Sequence, residues 1–224
     1  MQESHPSVFL LDDDESVVLA LSRLLQAEGF ATRAWTSAEE FLAEHDAGRP
    51  GCLVADVLMP RMDGLQLQGV FAERGIDRPI VFITGQGDIP TVVRAMKAGA
   101  VTLLPKPVQR DQLVPAVREA LGRDAAQRAR HRGQEDVARR LASLTPRERE
   151  VLGLVTTGML NKQIAAQLGA AEKTIKVHRG RIMMKMQVRT AAALAGLMSQ
   201  VERPRAFAHA LSLTRTTWDQ SPMS

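Results

Sequence analysis

The chain has 224 residues, 45% hydrophobic and 24% charged, a composition typical of folded proteins that have room for two domains. Its single cysteine, Cys52, excludes an internal disulfide, and with no leader and no apolar run of the ~20 residues that a membrane span requires, we expect a cytoplasmic protein without a membrane anchor. Residues 1–121 carry a net charge of −6 and residues 122–224 a net charge of +10, so the second part suits a polyanion.

Residues 1–121 alternate between short apolar runs, which predict strands, and amphipathic stretches, which predict helices. The predicted strands cover residues 8–11, 31–35, 52–56, 80–83 and 101–104. The predicted helices cover residues 16–27, 64–73, 89–98 and 111–121, and the capping box Ser37–Glu40 opens one more. Five strand–helix units predict an α/β fold, a doubly wound parallel sheet with helices on both faces.

Polar side chains follow the predicted strands at one edge of this sheet. They are two acids after the first strand, one at the end of the third, a hydroxyl after the fourth and an ammonium after the fifth: Asp12, Asp13, Asp56, Thr84 and Lys106. The ends of parallel strands converge on one crevice, so we expect these groups to share a site. Clustered carboxylates repel one another and need a cation, and hard oxygen ligands suit Mg²⁺. Asp56 is then placed to attack a phosphoryl donor, with Thr84 and Lys106 contacting the transferred oxygens.

Each of these residues also has an ordinary structural interpretation. Acids after a strand commonly cap a helix, a threonine there forms a turn, and a lysine beside a proline commonly faces solvent. Their coincidence at four strand ends favours a shared site.

Residues 122–142 have almost no large apolar residue before Leu141 and are rich in Arg, Ala, Gln and Glu. This composition predicts an exposed, largely helical linker interrupted near Gly133, and a disordered linker is the alternative.

From residue 143 the pattern is helical throughout. The capping box Thr145–Glu148 opens a helix to about residue 157, Asn161 caps a short helix that Gly169 ends, and further helices cover residues 172–186 and 191–198, the last capped by Thr190. Two helices joined by a tight turn predict a helix-turn-helix. The tail, residues 201–224, stays unassigned apart from a short helix at residues 206–213.

The predicted helix 172–186 has two different faces. At 100° per residue its core side carries Ile175, His178, Ile182 and Met186, and we expect His178 to be packed rather than catalytic. The opposite side carries Lys173, Val177, Gly180 and Met184, flanked by Lys176 and Arg181. A basic face with small groups at its centre fits the major groove of DNA. A solvated charged helix is the alternative, and the preceding short helix and turn favour DNA.

The set Asp12–Asp13, Asp56 with Pro60 and Gly64, Thr84–Gly85 and Lys106–Pro107 resembles a two-component receiver domain of flavodoxin-like fold over residues 7–121. The resemblance implies that Asp56 accepts the phosphoryl group from a sensor histidine kinase. It also implies that Thr84 is a switch hydroxyl and that the Lys106–Pro107 peptide is cis. Mg²⁺ would be held by Asp12, Asp13, Asp56 and the backbone carbonyl of Leu58. Receivers usually carry an aromatic residue where this chain has Leu103, so we do not expect an aromatic switch.

Three segments, residues 144–152, 161–165 and 173–179, resemble the LuxR-type helix-turn-helix. With the receiver they make the chain resemble a FixJ/NarL-type response regulator, and the run 85–90 and the helical linker favour the FixJ/StyR branch. The resemblance implies a receiver at 1–121, a linker at 122–142, a DNA-binding domain at 143–200 and a tail at 201–224. It also implies DNA contacts from Lys173, Thr174, Lys176, Val177, Arg179, Gly180, Arg181 and Lys185.

Two residues depart from the helix-turn-helix pattern. Ala171 replaces the usual capping serine at the start of the recognition helix, which costs about 1 kcal/mol. Gly180 lies inside that helix, which costs about 1 kcal/mol relative to alanine.

The leading hypothesis is therefore a transcription factor, not an enzyme, that binds promoter DNA as a homodimer when phosphorylated. RNA polymerase is a further candidate partner. One alternative is a metal-dependent hydrolase with Asp56 as its nucleophile, but such enzymes usually need a second acid where this chain has Leu58. Another is a DNA-binding regulator whose receiver acts without phosphorylation.

Overall fold

The structure is a computed structural model that describes residues 6–85 and 89–199. The chain divides into two units, one ending at Ala129 and one beginning at Arg130. Among the described helices, none combines the length and the apolar character that crossing a bilayer demands. The predicted helix at residues 206–213 lies outside the described residues, as does part of the run 85–90.

The first unit is built on a five-stranded parallel sheet of order β2-β1-β3-β4-β5. The strands are β1 (Ser7–Leu11), β2 (Ala31–Trp35), β3 (Gly51–Asp56), β4 (Ile80–Thr84) and β5 (Thr102–Pro105). The predicted doubly wound sheet is confirmed, and each strand lies within one residue of its predicted bounds.

Helices cover both faces of the sheet. The first four are α1 (Glu15–Ala27), α2 (Ala38–Glu44), α3 (Gly64–Glu73) and α4 (Ile89–Lys97). Successive residues of a strand point to opposite faces. In β1, Leu10 therefore packs in the core that includes Leu25 of α1, whereas Phe9 packs in the core that includes Phe41 and Phe71. The predicted capping box at α2 is half formed. The Ser37 hydroxyl accepts from the backbone N–H of Glu40 but donates to the Glu39 carboxylate.

The fifth helix confirms that residues 122–142 are helical and corrects one detail of the predicted linker. The helix α5 (Arg110–Ala142) runs for 33 residues, so the predicted interruption near Gly133 is wrong. Most residues around Gly133 are strong helix formers, and one glycine costs only about 1 kcal/mol in a helix interior. Nothing within 4 Å of Gly133 would meet an added Cβ, so no packing constraint bends the helix there.

Arg78, Asp124 and Arg128 form a polar clamp on residues 46–51, which comprise the loop before β3 and the first residue of that strand. Arg78 donates to the carbonyls of residues 46, 49 and 51, and Arg128 donates to those of residues 47, 48 and 49. Asp124 is 3% exposed, accepts from the Gly51 N–H at 2.9 Å, and receives Arg128 Nε at 2.9 Å on both oxygens. The clamp fixes α5 to the first unit several residues beyond the predicted domain end at residue 121.

The second unit is all helical. Its helices are α6 (Pro146–Thr156), α7 (Asn161–Leu168), α8 (Glu172–Met186) and α9, which covers residues 191–199. Their core includes Val151, Ile164, Ile175, Ile182 and Leu194, together with Val137 from the end of α5. The Thr145–Glu148 capping box forms in both directions.

The C-terminal end of α7, at the turn to α8, is as predicted, whereas its N-terminal cap is not. Gly169 ends α7 with φ +60°, a left-handed conformation that glycine adopts without a Cβ penalty. The prediction that Asn161 caps α7 is wrong, because Leu160 occupies the cap position and Asn161 is the first helical residue. The Asn161 side chain instead accepts from Arg179 Nη1 at 3.0 Å, which links α7 to α8.

Candidate functional site

Three acids meet at the carboxyl ends of β1 and β3 and form an acid pocket: Asp12, Asp13 and Asp56. Each offers a carboxylate oxygen, and these oxygens all lie within 4.8 Å of one another. Asp12 is 1% exposed and Asp56 5%, whereas Asp13 faces solvent. The convergence follows from topology, since β1 and β3 are parallel neighbours paired up to Leu11 and Ala55.

Lys106 joins two of these acids from the end of β5. Its Nζ lies 2.7 Å from Asp12 Oδ2 and 2.7 Å from Asp56 Oδ2. Thr84, at the end of β4, is buried, and its carbonyl accepts from the backbone N–H of Lys106 at 2.7 Å. The Lys106–Pro107 peptide is cis, as the resemblance implied. The predicted phosphoacceptor, lysine and hydroxyl residue thus lie at one edge of the sheet.

The backbone around Asp56 is tightly packed. The Leu58 N–H donates to Asp56 Oδ1 at 3.2 Å, and the Gly64 N–H donates to the Val57 carbonyl at 2.9 Å. A Cβ on Gly64 would lie 2.4 Å from the Asp56 carbonyl oxygen, so only glycine fits there. The contact of the Leu58 carbonyl with a metal ion stays a prediction.

Burial and ion pairing act against each other in this site. Burial raises the pKa of Asp12, and the hydrogen bond from Lys106 opposes that rise. For Lys106 burial favours the neutral form, but the hydrogen bonds to Asp12 and Asp56 outweigh it and raise the pKa. Lys106 therefore carries its charge at neutral pH and acts as the internal counter-ion of two carboxylates.

The acid pocket fits a small hard cation. The donor atoms of the three acids are all carboxylate oxygens. Asp12 is buried, and it has only a shared counter-ion, because Lys106 also pairs with Asp56. Mg²⁺ prefers carboxylate oxygens and keeps several waters, which the exposed side at Asp13 allows. Asp12, Asp13 and Asp56 are thus the residues that would hold Mg²⁺.

Leu103 occupies the position where receivers usually carry an aromatic ring. It is half-buried on β5 and packs against the core on the α2–α3–α4 side of the sheet. The expectation that this chain lacks an aromatic switch stays a prediction.

The helix α8, which is the predicted recognition helix, has the two faces that its periodicity predicts. Ile175, Ile182 and Met186 are fully buried, and His178 is half-buried. Six of the eight predicted DNA contacts lie on the exposed side: Lys173, Thr174, Lys176, Val177, Gly180 and Arg181. Val177 is 47% exposed, so an apolar group lies open beside the cations.

The other two predicted DNA contacts have partners within the second unit. Arg179 donates to Asn161, and Lys185 Nζ lies 2.7 Å from Glu148 Oε2 and 3.0 Å from the Ser143 carbonyl. Both side chains are half-buried and are directed toward the domain.

Sequence reasoning assigned Glu148 to a helix cap and missed its second role. Its side chain is 3% exposed, and the hydrogen bond from Lys185 and that from the Thr145 N–H lower its pKa to about 2. Nothing in the sequence pairs it with a lysine 37 residues away.

Two family models match the chain. The model "Response regulator receiver domain" matches residues 8–118, and the model "Bacterial regulatory proteins, luxR family" matches residues 142–198. Nodulation protein W of Bradyrhizobium diazoefficiens is 43% identical over 84% of this chain and 82% of its own length. The transcriptional regulatory protein FixJ of Azorhizobium caulinodans is 42% identical over 84% of this chain and 88% of its own.

Two solved structures are similar to this chain over most of its length. The response regulator StyR has a TM-score of 0.80 and 44% identity, covering 88% of this chain and 99% of that chain. Full-length FixJ from B. japonicum has a TM-score of 0.54 and 34% identity, covering 90% of this chain and 98% of that chain.

Proposed function

This chain belongs to the FixJ/NarL-type response regulators, which join a receiver domain to a LuxR-type DNA-binding domain, and we propose that a partner histidine kinase phosphorylates it on Asp56. Phosphorylation then promotes dimerisation and binding to promoter DNA. The observation that carries the proposal is the meeting of Asp12, Asp13, Asp56 and Lys106 in one pocket.

Asp56 is the acid best placed to be the nucleophile. It lies at the end of a central strand, and its two oxygens are oriented by Lys106 Nζ and the Leu58 N–H. Attack on a phosphohistidine forms a phosphorus–oxygen bond to Asp56 and breaks the phosphorus–nitrogen bond, and the histidine leaves. A bound Mg²⁺ would neutralise part of the negative charge on the phosphoryl group. Lys106 pairs with the added oxygens, and Thr84 serves as the hydroxyl that responds to them.

In the second unit, α8 lies in the major groove of promoter DNA. Lys176, Val177 and the open position at Gly180 face base edges, and Lys173 faces phosphates. Val177 suits contact with a thymine methyl group, since its side chain is exposed between cations.

Phosphorylation acts by shifting a population. Phosphorylated chains favour a dimer, and a dimer adds the binding energy of two half-sites. Because its partner is promoter DNA, the chain acts in the cytoplasm, with RNA polymerase as a further candidate partner.

The direct test is mass spectrometry after incubation with acetyl phosphate and Mg²⁺. We expect one phosphoryl group on the wild-type chain and none on Asp56→Asn. Asp111→Asn, which removes an exposed acid outside the acid pocket, should keep the label. Label on Asp56→Asn would refute the assignment.

A receiver that acts without phosphorylation is the second candidate, and Leu103 favours it. Gel shifts on promoter fragments, with and without acetyl phosphate, separate the two. Affinity that rises with phosphorylation supports the first, and affinity unchanged by a confirmed label at Asp56 supports the second.

A further inference from the structure

The C-terminal end of the recognition helix is held inside its own domain by an ion pair. We infer that Lys185 and Glu148 are positioning residues, which fix α8 for DNA binding, and that Lys185 does not contact DNA phosphates. The inference rests on the proposed function, because it assigns roles within the DNA-binding unit.

Glu148 is a buried acid that requires a cation. Its side chain is 3% exposed, and one carboxylate oxygen, Oε2, receives both the Thr145 N–H at 2.8 Å and Lys185 Nζ at 2.7 Å. A carboxylate buried without a charged partner is strongly unfavourable. Lys185 is the cation that compensates it.

Lys185 is engaged twice within the unit. Its Nζ donates to Glu148 and, at 3.0 Å, to the Ser143 carbonyl, so two of its three N–H donors are used. Only one third of the Lys185 side chain is exposed, whereas Lys173 and Lys176, nearer the start of α8, are exposed residues.

A DNA phosphate would compete with Glu148 for the same ammonium. If Lys185 turned to the phosphate, Glu148 would stay buried without compensation. If it kept both partners, the phosphate would lie close to a carboxylate and be repelled. Both arrangements are unfavourable, whereas a cation on the exposed face of α8 binds a phosphate without this penalty.

The neighbouring contact fixes the same end of α8. Arg140, near the end of α5, donates from Nη1 to the carbonyl of Met186, the last residue of α8, at 3.1 Å. A cation at the last carbonyls of a helix satisfies acceptors that have no partner within the helix. The C-terminal end of α8 is thus held from both α6 and α5, whereas Lys173 and Lys176 in its N-terminal half are exposed.

The test compares K185M with K173M, a matched change at the exposed N-terminal end of α8. The probe is a duplex that the phosphorylated wild-type chain selects from a randomised DNA library. Affinity is measured by fluorescence anisotropy between about 50 and about 200 mM salt, where each lost phosphate contact reduces the slope of log K against log salt by about 0.9.

We expect K173M to lose about 0.9 in slope, which is roughly an eightfold loss of affinity at 0.1 M salt, and to keep the unfolding midpoint of the second unit. We expect K185M to keep the wild-type slope, bind more weakly, and lower that midpoint by about 5–10 °C. The double variant E148Q/K185M should recover part of the midpoint.

The opposite pattern would overturn the inference: K185M losing about 0.9 in slope with an unchanged midpoint. E148Q keeps the test decisive if K185M does not fold. Because E148Q leaves every cation of α8 in place, a lower DNA affinity at an unchanged salt slope supports the positioning role. An unchanged DNA affinity refutes that role. Failure of the proposed function is distinguishable, because the wild-type chain would then select no duplex, while the midpoints of K173M and K185M still measure the ion pair.

Discussion

Replacing Gly180 with alanine should stabilise the second unit. Gly180 lies inside α8, is exposed, and has no heavy atom within 4 Å of the position where a Cβ would stand. Alanine is favoured over glycine in a helix interior by about 1 kcal/mol, chiefly because the unfolded chain loses less backbone freedom on folding. For a unit of this size, 1 kcal/mol corresponds to about 4–8 °C in the unfolding midpoint.

Differential scanning calorimetry of the full chain measures that midpoint, with the transition of the second unit assigned by hydrogen exchange. Gly153→Ala in α6 is a matched positive control, because that position is also helical and open. Gly169→Ala should lower the midpoint, since φ is +60° there. A fall or no change in Gly180→Ala, alongside a rise in Gly153→Ala, would show that the backbone at Gly180 is not an ordinary helical position.

Three further perturbations test other parts of the molecule. Arg128→Ala breaks the polar clamp and removes the ion-pair partner of the buried Asp124 carboxylate. Urea unfolding should therefore show the first unit destabilised by about 2–3 kcal/mol, and an unchanged midpoint would contradict a structural role. Gly64→Ala forces a Cβ against the Asp56 carbonyl and should slow labelling by acetyl phosphate, whereas Gly69→Ala, which is open, should label at the wild-type rate. Because the pKa of Glu148 is lowered from 4.5 to about 2, its stabilisation is complete above pH 4.5 and is lost as the pH falls toward 2. The free energy of unfolding of the second unit, measured by denaturation across that range, should show this loss. The E148Q variant, which lacks the carboxylate, should not show it.

The sheet and its acid pocket are predictable because they depend on local signals. An apolar run of five residues in an alternating strand–helix chain predicts a buried parallel strand, and parallel strands place their carboxyl ends together. Asp12, Asp56 and Lys106 could therefore be assigned to one site before their distances were known.

Residues 122–142 are helical and mostly exposed as predicted, but the attachment of their first part to the first unit was not predicted, because it depends on polar rather than apolar contacts. Residues 122–128 lack a hydrophobic stripe, and their attachment comes from Asp124 and Arg128 bonding to backbone carbonyls of residues 46–51. Carbonyl acceptors are present at every residue, so no sequence pattern identifies the loop that a given arginine will reach.

The partner of a charged residue on a helix is also hard to predict from sequence. The family resemblance implies DNA contacts from both Lys173 and Lys185, which are cations on one amphipathic helix. Only the packing of α6 against α8 shows that Lys185 faces Glu148, and a partner 37 residues away leaves no local trace.

The acid pocket also sets the valence of the ion it can hold. Three carboxylates and the ammonium of Lys106 leave two negative charges. A dication brings the cavity to electroneutrality, whereas a monovalent ion leaves an unbalanced negative charge and a trivalent ion an unbalanced positive one, each disfavoured where burial weakens solvent screening. The three acids therefore favour a dication such as Mg²⁺ over Na⁺ or K⁺, and the lysine, by cancelling one negative charge, disfavours a trivalent ion.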